Sequence, residues 1–355
     1  MKLGLGLYKQ ILTDQNFRFA KQAGATHVVA QLVDYIKGDD PSLTKNYLKG
    51  WGITQNQHKL WTYEELKALR KQIESHGLTL AAIENFDPAH WYDILLDGPK
   101  KEAQIENIKT IIRNVGKAGI PVIGYYFSLA GVWGWTHGSV GRGNANSVVF
   151  DADKINVDEP IPNGMVWNMT YDLNAAPGTI QKVNRKVMWS RMKYFLDHVL
   201  PVAEESGVKL VAHPDDPPLP DLRGTDRLFY NTREYEKLLA LHPSPSNGFE
   251  FCMGTIQEMK GSNVYELLDK YSKEGKIGYI HMRNVIGKVP CYREAFVDEG
   301  DINMVKALKI LKTNEYQGVI IPDHTPEMSC SAPWHAGMAY ALGYMKGVLQ
   351  AIEAE

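Results

Sequence analysis

Eight times along the chain a short apolar run is followed by a stretch with helical spacing, and few folds accommodate that rhythm. A strand covered by a helix on the way to the next parallel strand builds either an open doubly wound sheet or a closed (β/α)8 barrel. The apolar runs lie at 3–7, 27–32, 78–83, 120–127, 209–212, 249–251, 277–280 and 319–321. Helical spacing follows at 14–23, 62–76, 100–118, 180–205, 232–241, 262–273, 304–312 and 337–352. Thr62 and Glu65 have the spacing of a capping box. An open sheet would ordinarily carry a glycine-rich phosphate loop after its first strand, whereas Gly4 and Gly6 lie within the strand and no third glycine follows. We therefore expect an α/β fold, a (β/α)8 TIM barrel formed by one domain over 1–355. Residues 128 to about 180, rich in Gly, Asn and Pro, are too long for an ordinary connection and read as a lid-like insert after strand four.

Barrel enzymes carry their chemistry at the C-terminal ends of the strands. Strand five runs into His213, strand six into Cys252, strand seven into His281 and strand eight into Asp323. A lone histidine at a strand end is more often a hydrogen-bonded structural residue, and a lone buried cysteine a small hydrophobe. Four such residues at the same end of consecutive strands are better explained by a shared metal ion. Two imidazoles, one thiolate and one carboxylate suit Mn2+, Fe2+, Co2+ or Zn2+ and not Ca2+ or Mg2+, which take oxygen ligands.

Further polar groups follow the same strand ends. Arg283 and Asn284, after His281, are candidates to hold a substrate carboxylate. Glu84 and His90 after strand three, and His137 in the insert, are further substrate-binding candidates. His324 titrates near neutrality and is the first candidate for proton transfer, with Asp215 and Tyr125 as the others. Trp133 and Trp135 suit either a wall over a sugar or a small core beneath the insert.

A net charge of −2 offers no basic surface for nucleic acid, and no run approaches the length needed to span a bilayer. Cys252, Cys291 and Cys330 make no disulfide framework, so we expect a cytoplasmic protein. Barrels of this size often associate through their helices, and a homo-oligomer is expected.

The segments HPDDPP (213–218), HMRNV (281–285), EGDINM (299–304) and PDH (322–324) resemble the mannonate dehydratase family, with weaker similarity over 105–127 and the last helix. The resemblance implies a xylose-isomerase-like barrel, Mn2+ held by His213, Cys252, His281 and Asp323, a catalytic role for His324, and conversion of D-mannonate to 2-keto-3-deoxy-D-gluconate. Three positions depart from the family pattern. His137-Gly138 stands where the family has an Arg, Thr325-Pro326 where it has Gly-Arg, and Trp334-His335 near a family tyrosine. An altered substrate shell around an unchanged metal shell leaves two further readings of the same barrel, a sugar isomerase or epimerase and a non-catalytic sugar-binding relative.

Overall fold

The computed structural model describes residues 1–35, 52–54 and 59–354. Eight parallel strands close into a barrel: β1 Lys2–Leu7, β2 His27–Gln31, β3 Thr79–Glu84, β4 Val122–Tyr125, β5 Lys209–Ala212, β6 Asn247–Cys252, β7 Ile277–His281 and β8 Val319–Ile321. Each strand pairs with its sequence neighbours, and β1 pairs with β8 to close the ring. Helices α1 Asp14–Gln22, α2 Tyr63–Ser75, α3 Lys101–Lys117, α4 Arg185–Glu205, α5 Arg233–Leu241, α6 Val264–Lys273, α7 Met304–Thr313 and α8 Pro333–Ala354 follow β1 to β8 in turn. The (β/α)8 expectation holds. The capping box at α2 is also present, with the Glu65 amide donating to Thr62 Oγ1 and the Thr62 amide donating to Glu65 Oε2.

Two short helices were not foreseen. Pro88–Leu96 starts where Asp87 caps the Ala89 amide and a proline occupies the first turn. Met253–Glu258 starts at the Cys252 ligand candidate itself, whose Sγ accepts from the Thr255 amide. Much of the polar segment between β2 and α2 lies outside the described residues.

The main core lies between strands and helices, while a separate set including Val29, Ala82, Val211, Tyr279, Val319 and Ile321 packs together apart from it, inside the barrel. Alternation along each strand decides which residues point inward. A Cβ on Gly124 would meet Glu250 Oε2 and Tyr279 Oη, so Gly124 faces the interior and Tyr125 the helices.

The insert is organised by pairing. Its strands Thr136–Ser139 and Asn146–Asp151 join the hairpin Asn284–Lys288/Cys291–Ala295 in a four-stranded antiparallel sheet. Trp135, Val148, Phe150, Val289 and Tyr292 form a small core of their own. Among the described residues no helix is long and apolar enough to cross a membrane.

Candidate metal centre and its surroundings

His213, Cys252 and His281 converge, each offering a ligand atom within 4.8 Å of the others. The register explains part of this, because Cys252 and His281 are direct partners on β6 and β7. Asp323, two residues past β8, brings Oδ2 to 3.4 Å from His281 Nδ1.

The two imidazoles present different nitrogens. His213 Nδ1 lies 2.6 Å from the Pro214 carbonyl oxygen, which can only accept, so Nδ1 carries the proton and Nε2 is left as the donor atom. On His281 the orientation is reversed. Its Nε2 lies 3.2 Å from Glu84 Oε2 and 3.1 Å from Glu250 Oε1. Its buried Nδ1 makes no well-formed hydrogen bond among the described residues. Burial pushes the Cys252 thiol up, but the Arg283 charge and the neighbouring His213 and His281 imidazoles outweigh it and hold the thiol well below its ordinary value. A thiolate, two imidazole nitrogens with their protons placed elsewhere, and a carboxylate suit a borderline divalent cation.

The remaining candidates divide. His324 stands at the centre: its Nε2 is 3.0 Å from Asp323 Oδ2 and its Nδ1 2.7 Å from Glu294 Oε2. Burial alone would lower its pKa, yet Asp323 and Glu294 raise it to about 10. The Trp135 ring meets it edge-on at 5.4 Å. Trp135 thus belongs to the small core and to the wall of the site, whereas Trp133 lies in the main core. His137 is half-buried on its strand, lowered in pKa by burial and within the electrostatic reach of Glu294, Glu327 and His324.

Six further candidates lie as follows in the structure. Tyr125 is wholly buried on the outer face of β4, its ring 5.5 Å from Phe195 of α4. Asp215 accepts from Arg227 Nε at 2.7 Å and from the amides of Leu228 and Phe229 at 2.9 and 2.7 Å, so its carboxylate anchors the proline-rich loop. Arg283 is clamped by three carboxylates, Asp216 at 2.5 Å, Glu258 at 2.8 Å and Glu294 at 3.0 Å, leaving no fork for a substrate. Asn284 donates to the carbonyls of Val297 and Ile302 and ties down the loop after the hairpin. His90 contacts the Lys59 carbonyl and the Trp61 ring. Glu84 lies inside the barrel against His281, receiving Gln31 Nε2 at 3.1 Å.

Sequence reasoning missed Glu250, Glu258, Glu294, Tyr292 and Arg227. Glu250 carried a legible signal, since it precedes Cys252 by two residues and shares its inward face. Glu258 and Glu294 depend on pairings distant in sequence and had none.

The profile of the D-mannonate dehydratase (UxuA) family matches residues 17–355. The chain belongs to this family. Mannonate dehydratase 2 of Halalkalibacterium halodurans is 30% identical over 311 residues, covering 83% of this chain and 89% of that protein. Mannonate dehydratase of Streptococcus suis (strain 05ZYH33) is 33% identical over 277 residues, covering 74% of each. The crystal structure of mannonate dehydratase from Streptococcus suis serotype 2 superposes with a TM-score of 0.75 at 26% identity, covering 99% of this chain and 94% of that one. A D-psicose 3-epimerase from Clostridium cellulolyticum, at 13% identity and a TM-score of 0.57, covers 98% of this chain and 99% of that one and shares the fold. As a member of the mannonate dehydratase family the chain is a hydro-lyase of the metal-dependent kind.

Proposed function

We propose that this hydro-lyase removes water from D-mannonate to give 2-keto-3-deoxy-D-gluconate, with Mn2+ as resident ion and Fe2+, Co2+ or Zn2+ accepted by the same donors. The observation that carries the reading is the meeting of His213, Cys252 and His281 at the barrel mouth, their ligand atoms within 4.8 Å of one another. Asp323 is the fourth ligand. A bound divalent ion would supply Lewis acidity toward the substrate carboxylate and its neighbouring hydroxyl, which acidifies the hydrogen at C2.

The dehydration breaks the C2–H and C3–O bonds, and the chain's residues place an acid for the second of them. Asp323 and Glu294 face the two ring nitrogens of His324 and favour its imidazolium, the group we assign to deliver a proton to the departing C3 hydroxyl. Glu294 is in turn held by Arg283, which also lies 3.6 Å from the Cys252 sulfur. Trp135 covers His324 and limits the access of water from that side. We extend the reading to hexuronate breakdown by a cytoplasmic homo-oligomer, which three unpaired cysteines support as far as a reducing compartment is concerned.

Mass-detected assay of the purified chain with D-mannonate and Mn2+ tests the proposal. Product lighter by one water, formed only with metal, is the expected result. Product of unchanged mass would favour isomerisation or epimerisation, and tight sugar binding without turnover would favour a silent relative.

A further inference from the structure

The interior of a (β/α)8 barrel is ordinarily filled by branched apolar side chains. Here the tier beneath the metal ligands is polar. Glu250 and Tyr279 are register partners two residues below the partners Cys252 and His281. Glu84 reaches the same place from β3. Glu84 is 6% exposed and Glu250 only 1%. Two carboxylates so deeply buried are unfavourable unless something engages them.

What engages them is one imidazole edge. His281 Nε2 is 3.2 Å from Glu84 Oε2 and 3.1 Å from Glu250 Oε1. Glu84 is itself oriented, Gln31 Nε2 donating to its Oε1 at 3.1 Å, and Glu250 lies beside the Tyr279 hydroxyl around Gly124. Space for the pair is kept by Gly124, where a Cβ would fall 2.4 Å from both Glu250 Oε2 and Tyr279 Oη. Such an arrangement leaves one orientation open to the imidazole. With Nε2–H directed down at acceptors, Nδ1 faces Asp323.

We propose that Glu84 and Glu250 are positioning residues for the metal ion, Glu84 accepting the Nε2–H of His281 and Glu250 standing 3.1 Å from the same nitrogen, so that Nδ1 is fixed as the ligand atom. The inference rests on the metal-centre reading above and goes beyond it. Outer carboxylates of this kind fix ring orientation and raise ligand basicity, and their loss commonly weakens metal binding about 10–100-fold. The effect to be read is on the ion.

Mn2+ titration of the substrate-free protein, with free Mn2+ followed by electron paramagnetic resonance, tests this without reference to turnover. Wild type is expected to bind one ion tightly, and Glu84→Leu and Glu250→Leu to raise the Kd by about 10–100-fold while keeping the wild-type circular dichroism. Glu84→Gln and Glu250→Gln, which retain an oxygen able to accept from Nε2–H, are expected to lose less. Should a Leu variant not fold, the Ala variant at that position, which also removes the acceptor, takes its place, weakened binding supporting the proposal and unchanged binding overturning it. Wild-type affinity in both folded Leu variants overturns this proposal alone. Failure of the wild-type chain to take up any divalent ion overturns the metal-centre reading and this proposal with it.

Discussion

Tyr292 donates its hydroxyl to Asp216 Oδ1 at 2.8 Å, and so ties the antiparallel sheet above the barrel to the loop that begins at His213. The same hydroxyl accepts from Trp135 Nε1 at 2.9 Å. Tyr292→Phe removes both bonds and leaves the buried indole N–H without its acceptor. A buried donor left unsatisfied costs about 1–3 kcal/mol. We expect a loss of that size in denaturant unfolding, together with a fall in kcat as Trp135 loosens over His324. Unchanged stability would mean that the sheet is held by its apolar core alone.

Loss of a proposed ligand goes further than loss of an outer carboxylate. His213→Ala and Asp323→Ala each remove one donor of the set, and the expected result is a fall in Mn2+ affinity beyond the about 100-fold limit typical of outer-shell changes. Product formation should fall with it and return in part at high Mn2+ concentration. Full metal content in His213→Ala, measured by elemental analysis, would remove that residue from the site.

Arg283 is 2% exposed and faces Asp216, Glu258 and Glu294. Replacing one partner of a buried ionic cluster leaves charge uncompensated and costs about 3–5 kcal/mol. Arg283→Met is therefore expected to unfold at lower denaturant concentration by that margin. Arg283→Lys should not restore it, because an ammonium cannot match a planar fork placed between three carboxylates. A variant with wild-type stability and a raised KM would instead restore the substrate-binding role read from the sequence.

His90 gives a pH dependence with a definite sign. Burial holds its imidazole below the ordinary value of 6.5, although Asp87 and the Lys59 carbonyl act against that. The folded state therefore binds fewer protons than the unfolded state between the lowered value and 6.5. Stability rises with pH across that window and is lost as pH falls through it. His90→Gln keeps a hydrogen-bond donor and removes the titration. Its unfolding free energy should fall less steeply than that of wild type as pH is lowered below 6.5, and an identical slope would sink the assignment.

The eight strands and the meeting of His213, Cys252 and His281 were legible because both depend on local pattern. Period-two alternation and helical spacing mark the elements, and strand ends in a barrel share one rim by construction. Roles that depend on where a side chain points or whom it meets were not legible. Tyr125 and Tyr126 are adjacent, yet only Tyr126 turns toward the mouth, with its ring 5.3 Å from His213. Arg283 reads as a carboxylate binder at its sequence position. The carboxylates it binds are the protein's own, and Glu294 reaches it from a hairpin strand whose pairing with the insert has no local signature.

Gly124 offers the sharpest structural control on the polar tier beneath the metal. An added Cβ would lie 2.4 Å from Glu250 Oε2 and Tyr279 Oη, far inside contact distance. In a close-packed core the side chains must move, at a cost of about 1–3 kcal/mol. Gly124→Ala is thus expected to lower stability by that amount and, by displacing Glu250 from His281, to weaken Mn2+ binding as well. The matched control is Gly343 in α8, where an added Cβ meets nothing within 4 Å. Gly343→Ala should raise stability by about 0.4–1 kcal/mol and leave the Mn2+ Kd unchanged. If Gly124→Ala lowers stability but binds Mn2+ as wild type does, Glu250 contributes packing at that position and not orientation of the ligand.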